Sequence, residues 1–90
     1  MKFENIEIGK VYGEKNSLGV YYVIHKTDNY AVVLQHSTVH LVTVPMFFSN
    51  NYDFSEWIEE EYSDYFINEI YNRLVVRKND DWADTLYLKD

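Results

Sequence analysis

β-Branched and aromatic residues cluster in short runs, separated by turn residues, through the first half of the chain. Over residues 19–26, Tyr21, Val23 and His25 fall on one side and Tyr22 and Ile24 on the other, the pattern of a strand with two distinct faces. Asp28 and Asn29 follow as a two-residue hairpin turn, since both residue types tolerate positive φ. Residues 30–35 then read as a returning strand, His36 and Ser37 as a second turn, and residues 38–44 as a further strand that Pro45 closes. An earlier strand is expected over 7–12, broken by the polar run of Gly13, Glu14, Lys15, Asn16 and Ser17. The first half is therefore a β-meander.

After Ser49, Asn50 and Asn51 the period changes to 3.6. Asp53 with Glu56 three residues later makes a capping-box pattern, and the spacing predicts a helix over 54–67. On that helix Phe54, Trp57, Ile58, Tyr62, Tyr65 and Phe66 share one side, while Glu56, Glu59, Glu60 and Asp64 share the other. Residues 70–77 are compatible with a helical extension, but Leu74, Val75 and Val76 ahead of a polar turn fit a strand better, with residues 83–88 as its partner and Leu86 and Leu88 facing inward. The expected fold is α+β in a single domain spanning residues 1–90: a small antiparallel β-meander, or an SH3-like partly open barrel of five to six strands, with one acidic amphipathic helix. A flat sheet covered by one helix and a small barrel predict the same strand count.

The charge changes this picture more than the composition does. The formal net charge is −7. Residues 1–50 carry four lysines against four acids and residues 73–90 are again balanced, so the excess lies wholly in residues 51–72, where Asp53, Glu56, Glu59, Glu60, Glu61, Asp64 and Glu69 occur without one Lys or Arg. Seven aromatic residues in the same segment mark it as folded and not as an acidic tail. The absence of cysteine excludes disulfides, thiol nucleophiles, thiolate metal sites and iron–sulfur clusters. Glu4 and Glu7 near the start, and a longest near-apolar run of only 41–48, predict a cytoplasmic protein without a signal peptide or a membrane helix.

Catalytic chemistry finds little footing. His36 and His40 would share a strand face but lie about 13 Å apart along an unbroken strand, too far for one zinc ion, so neither they nor His25 define a metal site. Glu59, Glu60 and Glu61 fan out by 100° each on a helix and do not face one another across a cleft. With the glycines scattered at 9, 13 and 19 there is no phosphate loop, and neither a nucleophile elbow nor a zincin pattern occurs. No cofactor and no enzymatic activity are expected.

Two binding readings compete with a plain solvated surface. Lys10, Lys15, Lys26, Arg73, Arg77 and Lys78 interleaved with Tyr21, Tyr22 and Tyr30 would suit a nucleic acid, but the overall charge opposes a phosphate backbone. On a helix, Glu56, Glu60 and Asp64 would form an i, i+4, i+8 stripe about 6 Å apart per step, flanked by Glu59 and Glu61. Forgoing every compensating lysine disfavours folding slightly, by a few tenths of a kcal/mol for each like-charge pair. The stripe therefore predicts recognition of a basic protein, with edges of Trp57 and Tyr62 as anchors. In charge and small size, over residues 53–69, the chain resembles the acidic nucleic-acid-mimic inhibitors that phages and mobile elements encode, such as anti-restriction and anti-CRISPR proteins. That resemblance implies an inhibitor docked on the nucleic-acid-binding surface of a partner enzyme or effector. The alternative is an SH3-like protein-interaction or nucleic-acid-accessory module without mimicry. Pro45, Met46, Phe47 and Phe48 form a second candidate contact: the core beneath the helix by one reading, a homodimer or partner anchor by the other.

Overall fold

The computed structural model describes residues 1–74. They form five strands, β1 (Val11–Glu14), β2 (Gly19–Lys26), β3 (Tyr30–Ser37), β4 (Val42–Ser49) and β5 (Trp57–Glu60), then one helix, α1 (Asp64–Asn72). All neighbouring strands are antiparallel, in the order β4-β3-β2-β1-β5, so the last strand returns to lie beside the first.

The period of two sorts the core onto two faces. On one face Tyr12, Tyr21, Val23, Val33, Phe48 and Trp57 pack together, covered by Ile6 from the N-terminal segment and Phe54 from the β4–β5 connection. On the other, Val11, Val20 and Leu34 pack under α1, which presents Ile70 with Phe66 and Ile67 beside it. Phe66, Ile70 and Leu74 recur every fourth residue, which is why one stripe of a short helix covers the sheet. His36 is buried on this second face, where its Nδ1 shares a 2.8 Å hydrogen bond with Thr43 Oγ1 and its ring meets Phe66 edge-on.

The helix expected over 54–67 is not formed. Trp57–Glu60 is a strand paired to β1, with Val11 opposite Glu60 and Glu14 opposite Trp57, and α1 begins only at Asp64. Tertiary packing overrides local spacing here: Phe54 and Trp57 bury on the face opposite the helix, and the extended backbone lets Glu59 and Glu60 point to opposite sides. Asp53 caps no helix; its Oδ1 accepts the Ser55 N–H at 3.0 Å in a local turn. The helix N-cap is Ser63, whose hydroxyl accepts the Phe66 N–H at 3.3 Å.

Smaller boundaries move for similar reasons. β1 spans Val11–Glu14 and runs through Gly13 and Glu14 where a break was expected. β3 continues through His36 and Ser37, and the turn falls at 38–41, where Leu41 takes a φ of +54°. The Asp28-Asn29 turn is in place, but neither residue has positive φ; the Thr27 hydroxyl accepts from the N–H groups of Asn29 and Tyr30 instead. Pro45 sits inside β4 and does not close it. The Thr43 N–H points away from β3, to Arg73 O at 2.9 Å, and Pro45, two residues on, shares that outward direction, so its missing N–H costs the β3–β4 ladder nothing. α1 extends through Asn72 and Leu74 makes a parallel bridge to Thr43. The rest of the strand expected from Leu74 and its partner over 83–88 lie outside the described residues. No helix among the described residues is long and apolar enough to cross a membrane.

Candidate partner-binding edge

Antiparallel pairing determines which way each β5 residue points. Lys15 N–H donates to Glu56 O at 3.1 Å, which marks that pair as hydrogen-bonded; two residues along, Gly13 with Ile58 and Val11 with Glu60 follow. The bond from Val23 N–H to Lys10 O assigns the β1 residues of opposite parity to β2, in agreement. The side chains of Trp57 and Glu59 therefore lie on the Tyr12 face, and those of Ile58 and Glu60 on the helix face.

The acidic residues fall on this edge and the turn after it. Glu56, Glu59, Glu60, Glu61 and Asp64 are all exposed. The i, i+4, i+8 stripe does not exist, because Glu56 and Glu60 belong to extended chain and only Asp64 to the helix. Glu59 pairs with Lys10 at 3.3 Å, and Lys10 also reaches Glu7 at 3.4 Å. The hydrogen bond to Glu59 is the main reason the Lys10 ammonium titrates above its ordinary range, with Glu7 adding to it. Glu60 is seated against Gly13, where a Cβ would approach its Cδ to 2.8 Å, and its Oε2 accepts the Tyr62 hydroxyl at 2.9 Å. Tyr62 stacks on Phe66 with ring centroids 4.3 Å apart; burial, and then the Glu60 carboxylate, raise its pKa. Two open clefts flank the Glu60–Tyr62 pair. One, of about 360 Å³, is bordered by Gly13, Leu18, Val20 and Ile58; the other, of about 320 Å³, by Lys10, Val11, Glu59, Glu61 and Ile67.

Trp57 is no surface anchor. It is 2% exposed, stacks on Tyr21 at 4.6 Å and donates its Nε1–H to Glu14 Oε2 at 3.1 Å. The apolar residues that do face solvent at this edge are Ile58 (64% exposed) and Leu18 (65%), with Tyr62 at 37%.

Glu14 had no expected role, yet its carboxylate gathers three donors: Tyr21 Oη at 3.1 Å, Tyr52 Oη at 2.7 Å and Trp57 Nε1. The hydrogen bond that the Tyr52 hydroxyl donates to Glu14 is the largest reason the Tyr52 pKa is pushed up to about 12; burial adds to it. For Tyr21 burial dominates. The available signal was parity: Glu14 stands two residues from Tyr12, on the side that faces inward.

The remaining candidates disperse. His36 is buried, His40 is exposed at the β3–β4 turn and His25 is half-buried against Tyr30; among the described residues no group of three or more His, Asp or Glu is placed to hold a metal ion. Of the cations proposed for a nucleic acid, Lys10 serves the acidic edge, Lys26 donates to Ile6 O at 2.8 Å and lies over the Phe3 ring, and Arg73 pairs with Glu69 at 2.9 Å. Arg77 and Lys78 lie outside the described residues. Tyr21 is buried against Trp57, so it is not free to stack on a base. Phe48 is core, but on the face opposite the helix and not beneath it; Phe47 is 42% exposed and Met46 half-buried. Comparisons with protein-family models, with curated proteins and with solved structures find no match for this chain.

Proposed function

We propose that this protein acts by binding, without catalysis, and that the β5 edge with the turn behind it docks on a basic surface of another protein. The observation that carries this reading is the placement of Glu56, Glu59, Glu60 and Glu61 on one exposed stretch, of which only Glu59 has a cation partner, Lys10, among the described residues. Basic protein surfaces of that extent commonly serve nucleic acids, and a row of carboxylates presents charge where phosphates would otherwise lie. The protein is on this reading an inhibitor of a nucleic-acid-binding enzyme or effector, of the kind phages direct against host defence. The return of β5 beside β1 supports viewing the sheet as an SH3-like partly open barrel, and a plain SH3-like interaction module is the second reading, favoured by the exposed Ile58 and Leu18 at the same edge.

Such docking associates fast and weakens with salt. The test is affinity capture from the native host's lysate, comparing the wild-type chain with a Glu56→Gln, Glu60→Gln, Glu61→Gln variant. A nucleic-acid-binding protein that is retained at low salt, has shed its nucleic acid and is lost with the variant supports the inhibitor. Equal retention by the variant overturns it.

A further inference from the structure

The outer side of β5 carries more than charge. Because Glu56, Ile58 and Glu60 direct their backbone groups to β1, the Trp57 C=O, the Glu59 N–H and C=O and the Glu61 N–H point the other way. The Trp57 N–H is taken by Phe54 O at 3.0 Å. Among the described residues no strand lies beyond β5. Four backbone groups in register on an exposed edge are what one added strand satisfies.

We propose that β5 is a strand-addition edge, and that its occupant is an extended, arginine- or lysine-bearing segment of the partner protein. The inference rests on the reading of this edge as the partner-binding surface and specifies how the partner is held. In antiparallel addition the partner residue opposite Glu59 exchanges both hydrogen bonds with it. The residues on either side of that one then project onto the helix face, one beside Ile58 and one beside Glu60. Ile58 and Leu18 form an apolar border there, while Glu60 is held by Tyr62 and by the missing Cβ of Gly13. The fitting segment is therefore apolar opposite Ile58 and basic opposite Glu60. A second copy of this chain would bring the same carboxylates against themselves, at a cost, so charge selects a basic segment over self-association.

The experiment uses a short peptide that alternates Thr with Arg and Val, and the same peptide N-methylated at the amides that would bond to β5. Methylation keeps every charge and removes two ladder hydrogen bonds, each worth about 1 kcal/mol. Strand addition thus predicts at least about tenfold weaker binding of the methylated peptide, and new hydrogen-exchange protection at the Glu59 and Glu61 amides with the unmodified one. Equal affinity of the two peptides, or binding without protection, overturns strand addition and leaves charge-driven docking standing. No binding of either peptide at low salt overturns it as well. Protection of Glu59 and Glu61 in the dilute free chain, or protection that grows with protein concentration, means that this chain fills its own edge and also overturns the proposal. Glu56→Gln with Glu61→Gln separates the two claims: unchanged peptide affinity in that variant rejects the charge reading, whatever the methylation result.

Discussion

Tyr21 and Trp57 stack face to face, with ring centroids 4.6 Å apart and planes 4° from parallel, although β1 lies between the strands that carry them. The two rings close over Glu14, which accepts a hydrogen bond from each. This joins β5 to the centre of the sheet through side chains as well as through the β1 ladder.

Trp57→Ala removes this stack and its contacts with Phe48 and Phe54. The expected loss is about 3–5 kcal/mol, read by urea denaturation. Glu14→Ala leaves the Trp57 Nε1–H and the Tyr21 hydroxyl without their acceptor at a cost of about 1–3 kcal/mol. A loss below half a kcal/mol for Glu14→Ala would mean that this carboxylate is incidental.

The tyrosines give an alkaline signature. Tyr52 has its pKa raised from 10.0 to about 12, and Tyr21 is also raised. A raised pKa means the folded chain holds the proton more tightly than the unfolded one, so this stabilisation is complete below pH 10 and is lost between about pH 10 and 12. Absorbance titration should show a late tyrosine that shifts back toward the ordinary range in Glu14→Gln, with the part due to burial remaining.

His36 gives the opposite slope near neutrality. Its pKa is lowered, first by burial and then by Arg73, with Glu69 opposing. The folded chain therefore binds the proton less readily than the unfolded one, and stability is greatest above pH 6.5 and falls as the pH drops below it. Asp53 is shifted downward, by its bonds to Ser55, and acts only below its ordinary value of 3.8, outside this window. Denaturation at pH 7.5 and 5.5 should show the loss, and His36→Gln should reduce the difference.

Two glycines in adjacent strands should respond differently to alanine. At Gly13 the added Cβ meets the far end of the Glu60 side chain, which can swing aside; at Gly19 it would sit 2.5 Å from the backbone oxygen of His36. Gly13→Ala is expected to stay within about 1 kcal/mol of wild type, while the Tyr62 pKa falls as its bond to Glu60 is lost. Gly19→Ala should cost about 1–3 kcal/mol through backbone displacement. Thermal melts with a Tyr62 titration distinguish the two.

The meander was legible because β2, β3 and β4 are short runs of β-branched and aromatic residues separated by polar turns, and that clustering is a local property; the bulge between Val23 and His25, which breaks the parity of β2, was not. Residues 53–60 were not, because Asp53 and Glu56 imitate a capping box while the real cap, Ser63, has Phe66 and no Glu at the matching position. What makes Trp57–Glu60 a strand is its pairing with Val11–Glu14, far off in sequence, together with a tryptophan that needs Glu14 and Tyr21 around it. No periodicity encodes that. The acidic segment was legible as charge, but which carboxylates are committed, Glu59 to Lys10 and Glu60 to Tyr62, depends on the same long-range register.

Pro45 makes the two ends of the sheet unequal. A row of copies joined edge to edge would need the outer side of β4 to receive the β5 of the next molecule, and along that side Pro45 offers no N–H while Thr43 has already given its own to Arg73. Among the described residues the sheet thus has one edge open to an added strand and one that is partly blocked, an asymmetry that disfavours open-ended edge-to-edge stacking.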